Sequence, residues 1–246
     1  MNVTLLSAAS VPPGWATQFA PEVSPPWNLD RIDHAFNIPQ GFYSTPGGTC
    51  GAGAHLWVID TGINPLHVEF LDAATGASRV GVGYDFTQSL SGGLDCNGHG
   101  THVSGIAAGL TFGVAKCASL HSVRVLDCQG SGSVQNVISG LAYVASQVSS
   151  NQALYAQSVA LMSLGGASSP SVNSAVAALV AMGVPVAVAA GNDAATSASS
   201  GDACQYSPSG APGATVVSAT DQADARPAWA NYGGCVRFFA PGGARE

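Results

Sequence analysis

Apolar and polar positions along the chain fall into short segments that switch between a period near two and a period near 3.6. His55–Asp60 is an apolar run closed by Thr61-Gly62, which predicts a buried strand ending in a turn. Residues 79–84 alternate with glycine and predict a second strand, and residues 120–126 a β-branched third. Val134, Val137, Ile138, Leu141, Val144, Ala145 and Val148 recur at three- and four-residue spacing, the mark of an amphipathic helix, with Ser131 or Ser133 as its cap. Residues 98–110, rich in Gly and Ala, predict a helix beginning near His99, and residues 171–182 another that opens after Pro170. Residues 159–164, 184–189, 214–219 and 235–239 complete the strands. Strands alternating with helices imply an α/β fold: a doubly wound, mainly parallel sheet flanked by helices. Residues 1–25 are rich in Pro, Ser and Ala without a sustained period and read as a tail or propeptide remnant; residues 26–246 read as one domain.

Composition narrows the class. The 246 residues suffice for one large α/β core. Charged residues make up 9%, against about 25% in an average soluble protein, so tight turns and close packing replace a salt-bridged surface. A formal charge of −7 with seven scattered basic residues argues against nucleic acid as a partner. No apolar run is long enough for a membrane span, and the first 15 residues lack the basic start of a signal peptide. Six cysteines, at 50, 96, 117, 128, 204 and 235, contain no C-x-x-C pair. Their parity alone leaves buried thiols and disulfides equally open.

Three segments carry chemistry. Asp60 ends a predicted parallel strand, where open α/β sheets place their ligands. His99 stands between two glycines at a predicted helix start, so that the helix fixes its imidazole. Asn192 follows Ala189-Ala190-Gly191 at the end of a buried strand. Singly, each has a plainer reading: a turn aspartate, a solvated histidine, a turn asparagine. His99 and His102 are also three residues apart on one helix, but no third ligand falls in register for a metal. Together, a buried Asp orients a His, the His takes a proton from a hydroxyl, and an Asn amide stabilises an oxyanion.

Val58-Ile59-Asp60-Thr61-Gly62, Asn97-Gly98-His99-Gly100-Thr101-His102-Val103 and Ala189-Ala190-Gly191-Asn192 resemble, in this order, the motifs of the subtilisin-like serine proteases, the subtilases. Pro26-Trp27-Asn28-Leu29-Asp30, Val123-Arg124-Val125-Leu126-Asp127-Cys128, Ser163-Leu164-Gly165-Gly166, Tyr206-Ser207-Pro208 and Phe239-Ala240-Pro241-Gly242 extend the likeness to the proteinase K and aqualysin-like branch, over about residues 16–243. The resemblance implies a serine endopeptidase acting on protein or peptide substrates, secreted or in the secretory pathway, and monomeric when complete. It makes Asp60 the orienting carboxylate, His99 the general base and Asn192 the oxyanion donor, with no cofactor in catalysis. Gly130, Ser131, Gly132, Ser163, Leu164, Gly165 and Gly166 become the edges on which a substrate strand pairs. Small Ala189 and Gly191 imply a primary pocket open to bulky apolar side chains.

The resemblance also pairs Cys96 with Cys128 and Cys204 with Cys235. Cys50 and Cys117 have no such counterpart. They precede two strands that are parallel neighbours in the family's sheet, so a third bridge and two free thiols both remain open. Structural calcium is a further expectation of the family, without an assigned metal site. Asp30 and Asp33 match ligand positions, but His34 stands where an oxygen donor is usual and Ala244 replaces an aspartate; the plainer reading is that both carboxylates cap the first helix. The family's Gly-Thr-Ser signature, due after the other three motifs, does not occur in the 246 residues. The sequence thus reads as a subtilase domain incomplete at its C-terminal end and inactive alone. The alternative is a catalytically dead subtilase that binds peptides or proteins through its intact edges.

Overall fold

The computed structural model describes residues 22–45, 49–72, 74–87, 93–195 and 201–242. The tail read over residues 1–25 lies outside them as far as residue 21. Its last part departs from that reading: β1 (Glu22–Val23) pairs antiparallel with β2 (Phe42–Tyr43), across the short helix α1 (Trp27–Ile32). Two-residue strands carry little period, which is why the pairing has no sequence signal.

The centre is a seven-stranded sheet built from β3 (His55–Asp60), β4 (Val80–Asp85), β5 (Ser119–Arg124), β6 (Ser158–Met162), β8 (Val186–Ala189), β10 (Thr215–Thr220) and β11 (Val236–Pro241). A small pair, β7 (Gly166–Ala167) and β9 (Tyr206–Ser207), stands apart from it. In space the order is β4-β5-β3-β6-β8-β10-β11, and every pairing is parallel. The helices are α2 (His99–Ala108), α3 (Val134–Ser150), α4 (Gln152–Tyr155) and α5 (Pro170–Ala181). Ser133 caps α3 by accepting the Asn136 N–H, which decides between the two serines. Among the described residues no helix is long and apolar enough to cross a membrane.

Strand parity explains the core. On β3, Trp57 and Ile59 enter the larger cluster with Val144 and Leu141 of α3 and Val176 and Leu179 of α5. Val58 joins the smaller one with Ala108 of α2, Phe70 and Leu120. Side chains two apart share a face, so Asp60 projects with Val58 toward α2. Residues 57–60 are all buried because helices cover β3 on both faces. Farther along the sheet this changes. On β6, β8 and β10, one face is buried through Ala160, Met162, Val186, Val188 and Val216, while Val159, Leu161, Ala187, Ala189, Val217 and Ala219 on the other stay half-buried.

The chain builds β4 and β5 on one side of β3, then crosses through α3 to place β6 on the other. β3 is therefore a topological switch point, and the crevice outside its carboxyl end is where such sheets bind ligands.

Candidate functional site

Asp60 closes β3 at that carboxyl end and is wholly buried. His99 opens α2 with its side chain 45% exposed. The His99 Nδ1 lies 2.8 Å from Asp60 Oδ1. A carboxylate only accepts, so Nδ1 carries the hydrogen and Nε2 is left as the acceptor facing solvent. The Thr61 N–H donates to the same Asp60 oxygen at 2.7 Å. This arrangement needs Gly100: a Cβ there would collide with the Gly62 carbonyl oxygen and crowd Asp60 at 3.2 Å. Helix and strand end can meet this closely only with glycine at the contact.

Asp95 has no assigned role in the sequence reading, yet it holds the histidine loop. Its carboxylate accepts from the N–H groups of Asn97, Gly98 and Thr101 and from the Thr61 and Thr101 hydroxyls. Burial pushes its pKa up, but these bonds outweigh that and hold it below the ordinary value. The Thr61 hydroxyl also accepts the Gly100 N–H at 2.9 Å, tying the aspartate strand to the histidine helix. The only sequence signal for Asp95 was its place two residues before the histidine motif.

The hydrogen bond to Asp60 raises the His99 pKa; burial opposes this, and the charges of Asp60 and Asp95 add to it. The sign is that of a histidine gaining a partner on folding. Its contribution to stability is fully present below the unfolded value of about 6.5 and is lost as pH rises through the higher folded value. NMR titration of the His99 Cε1–H should give a midpoint above 6.5, falling in Asp60→Asn. A midpoint unmoved by that substitution would contradict the pairing.

Beside His99 opens a cleft of about 710 Å³, lined by Gly130, Ser131, Gly132, Ser163, Leu164 and Gly165, with Gly166 and Pro208 on its rim. These are the segments that follow β5 and β6, so the cleft occupies the crevice at the switch point. Asn192, Ala189 and Gly191 do not line it; they lie at and just beyond the end of β8, two strands from β3. His102 is exposed and lines a separate cleft with His67, Glu69 and Phe112. Neither His99 nor His102 belongs to a group of metal-capable side chains among the described residues.

The sulfur pairings are Cys96–Cys128, Cys204–Cys235 and Cys50–Cys117. The third bridge is therefore present: Cys50 and Cys117 lie just before the adjacent parallel strands β3 and β5, with the Cys117 N–H donating to the Cys50 carbonyl at 2.8 Å. Cys96–Cys128 joins the histidine loop to the segment that forms one wall of the cleft, and Arg124, wholly buried, donates to Cys96 Sγ at 3.1 Å.

Asp30 and Asp33 do not cap the start of α1. Asp30 accepts the Gln40 and Gly41 N–H groups, Asp33 the Ser44 N–H, and the two His34 ring nitrogens lie 3.2 Å from Asp30 and 2.8 Å from Asp33. The carboxylates pin the following strap rather than the helix, because the chain turns back over them. Calcium takes six to eight oxygen ligands. Here Asp30, Asp33 and His34 lie close enough together to hold a metal ion, but main-chain N–H groups already bond both carboxylates and the third group offers a ring nitrogen rather than an oxygen. Ala244 lies outside the described residues.

A parallel α/β sheet carrying an aspartate–histidine pair beside a cleft at the sheet's switch point is the framework of a subtilisin-like hydrolase. The chain belongs to the subtilase family, whose model matches residues 51–245. It is 45% identical over 224 residues to the extracellular serine proteinase of Thermus sp. (strain Rt41A), covering 91% of this chain and 50% of that protein. It is also 45% identical over 217 residues to alkaline serine exoprotease A of Vibrio alginolyticus, covering 88% and 37%. The solved structure of a cold adapted subtilisin-like serine proteinase superposes with a TM-score of 0.77 at 42% identity, covering 89% of this chain and 73% of that one. The chain thus spans half or less of the length of these two curated relatives.

Proposed function

We propose that the chain is the aspartate- and histidine-bearing part of a serine endopeptidase that cleaves peptide bonds outside the cytosol. The observation that carries this reading is the buried Asp60 hydrogen-bonded to His99 at the mouth of the cleft. In the reaction, His99 Nε2 removes the proton of a serine hydroxyl as its oxygen attacks the scissile carbonyl carbon. Asp60 keeps Nδ1 protonated and stabilises the imidazolium. The Asn192 amide donates to the developing oxyanion. The carbon–nitrogen bond then breaks, the His99 proton passes to the leaving amine, and water repeats the sequence on the acyl-enzyme. An extended peptide lies between Gly130-Ser131-Gly132 and Ser163-Leu164-Gly165, bonded through its main chain.

Among the described residues the His99 ring bonds Asp60 and no serine hydroxyl, and the Gly-Thr-Ser signature does not occur in the 246 residues, which supports a nucleophile supplied from elsewhere. The half-buried apolar face of β6, β8 and β10, next to α2, supports delivery of the serine by a further helix packed there. Covering such a face removes apolar surface from water, the main force holding elements together. Three disulfides and the extracellular Thermus relative support an exported protein.

The test uses a fluorophosphonate probe, which labels an activated serine. The 246-residue polypeptide should stay unlabelled. A chimera joining the Gly-Thr-Ser segment of a subtilase relative after Gly242 should be labelled and should hydrolyse peptide substrates. Labelling of the polypeptide alone, or a folded chimera that neither labels nor hydrolyses, overturns the proposal.

A further inference from the structure

We propose that Asn231 is a positioning residue for the oxyanion site: it sets the turn from which Asn192 presents its amide. The inference rests on the reading of Asn192 as oxyanion donor. Asn231 is wholly buried, distant in sequence, and bonded to the residues on both sides of Asn192. Its Oδ1 accepts the Asp193 N–H at 2.9 Å, its Nδ2 donates to the Ala190 carbonyl at 3.0 Å, and its own N–H donates to the Gly191 carbonyl at 3.0 Å. Three bonds thus bracket Asn192, whose side chain is left exposed.

The bracket is itself fixed. The Ser218 hydroxyl of β10 donates to the Asn231 carbonyl at 2.5 Å, and the Ala190 N–H donates to Val217 of the same strand at 2.9 Å. Gly191 completes it: its φ is +99°, and a Cβ there would lie 2.5 Å from Asn231 Nδ2. Any other residue at 191 would therefore be strained in backbone and would push on the bracket.

A buried amide stabilises little unless its hydrogen bonds are made, and an apolar side chain fills a core with less constraint. What these bonds do specifically is hold a four-residue turn in one shape. An oxyanion donor works only when it is already aimed at the place where charge develops, so that no reorganisation is needed in the transition state. The Asn231 bracket supplies that aim. Asn231 is wholly buried and does not line the cleft, so its effect must run through Asn192.

Two measurements test this. In the 246-residue chain, Asn231→Ala should abolish amide-exchange protection at Asp193 while β3 and β5 keep theirs. In the chimera described above, Asn192→Ala should lower kcat by roughly 10²–10³-fold, and Asn231→Ala by roughly 10-fold or more with KM within about two-fold. Added to Asn192→Ala, Asn231→Ala should lower kcat no further, because its target is already gone. Gly191→Ala should behave in the same way and serves if Asn231→Ala does not fold. Asn192→Ala with unchanged kcat overturns the oxyanion reading itself. If Asn192→Ala is slow, the positioning proposal is overturned when Asn231→Ala and Gly191→Ala leave kcat at the wild-type value. It is equally overturned when their losses add fully to that of Asn192→Ala, since that is the mark of general destabilisation.

Discussion

Asp60→Asn, made in a chain completed with a Gly-Thr-Ser segment, lowers kcat by on the order of 10⁴-fold and leaves KM close to its wild-type value. The substitution keeps the shape of the side chain and its packing against Gly100, but it removes the negative charge and can offer an N–H where His99 Nδ1 needs an acceptor. The imidazole then holds its hydrogen on the wrong nitrogen and Nε2 no longer accepts the hydroxyl proton. Asp60 is buried and does not line the cleft, so ground-state binding has no reason to change. Steady-state kinetics with a chromogenic peptide measure both constants. A loss appearing in KM with kcat preserved would mean that Asp60 shapes binding rather than orienting a base.

Replacing both Cys50 and Cys117 with serine destabilises the 246-residue chain by about 4 kcal/mol, and lowers its melting temperature by roughly 10 °C. The two residues are 67 apart in sequence and bring together the starts of β3 and β5. Of the three bridges this one closes the longest loop, and loop-closure entropy in the unfolded chain grows with loop length. Cys50 is also buried, so the variant leaves a hydroxyl in an apolar place. Urea unfolding monitored by tryptophan fluorescence reads the change. A variant within about 1 kcal/mol of the wild type would show that the bridge does not constrain the chain as this loop length implies.

Much of the site was legible because its residues lie inside local patterns. The apolar run at His55–Asp60 specifies a strand, its period of two puts Asp60 on one face with Val58, and the glycines around His99 mark a close helix–strand approach. Strand ends follow the pattern less closely: the β-branched run predicts a strand over residues 120–126, but β5 ends at Arg124, whose buried guanidinium turns to the Leu94 and Leu126 carbonyls and the sulfur of Cys96. Likewise residues 159–164 run past β6, because Ser163 and Leu164 leave the sheet to line the cleft. Asn231 and Asp95 carried no pattern of their own. Each works through main-chain groups that local periodicity does not describe.

The sequence by itself therefore determined the α/β class, the strand and helix carrying Asp60 and His99, and the family motifs around them, since these depend on residues close together in the chain. Only the tertiary structure decided that Cys50 meets Cys117, that His34 lies between Asp30 and Asp33, that the sheet beyond β3 is covered on one face, and that Asn231 brackets the turn at Asn192. These arise where strands far apart in sequence become neighbours, and the free energy of such contacts depends on distances that no local spacing contains.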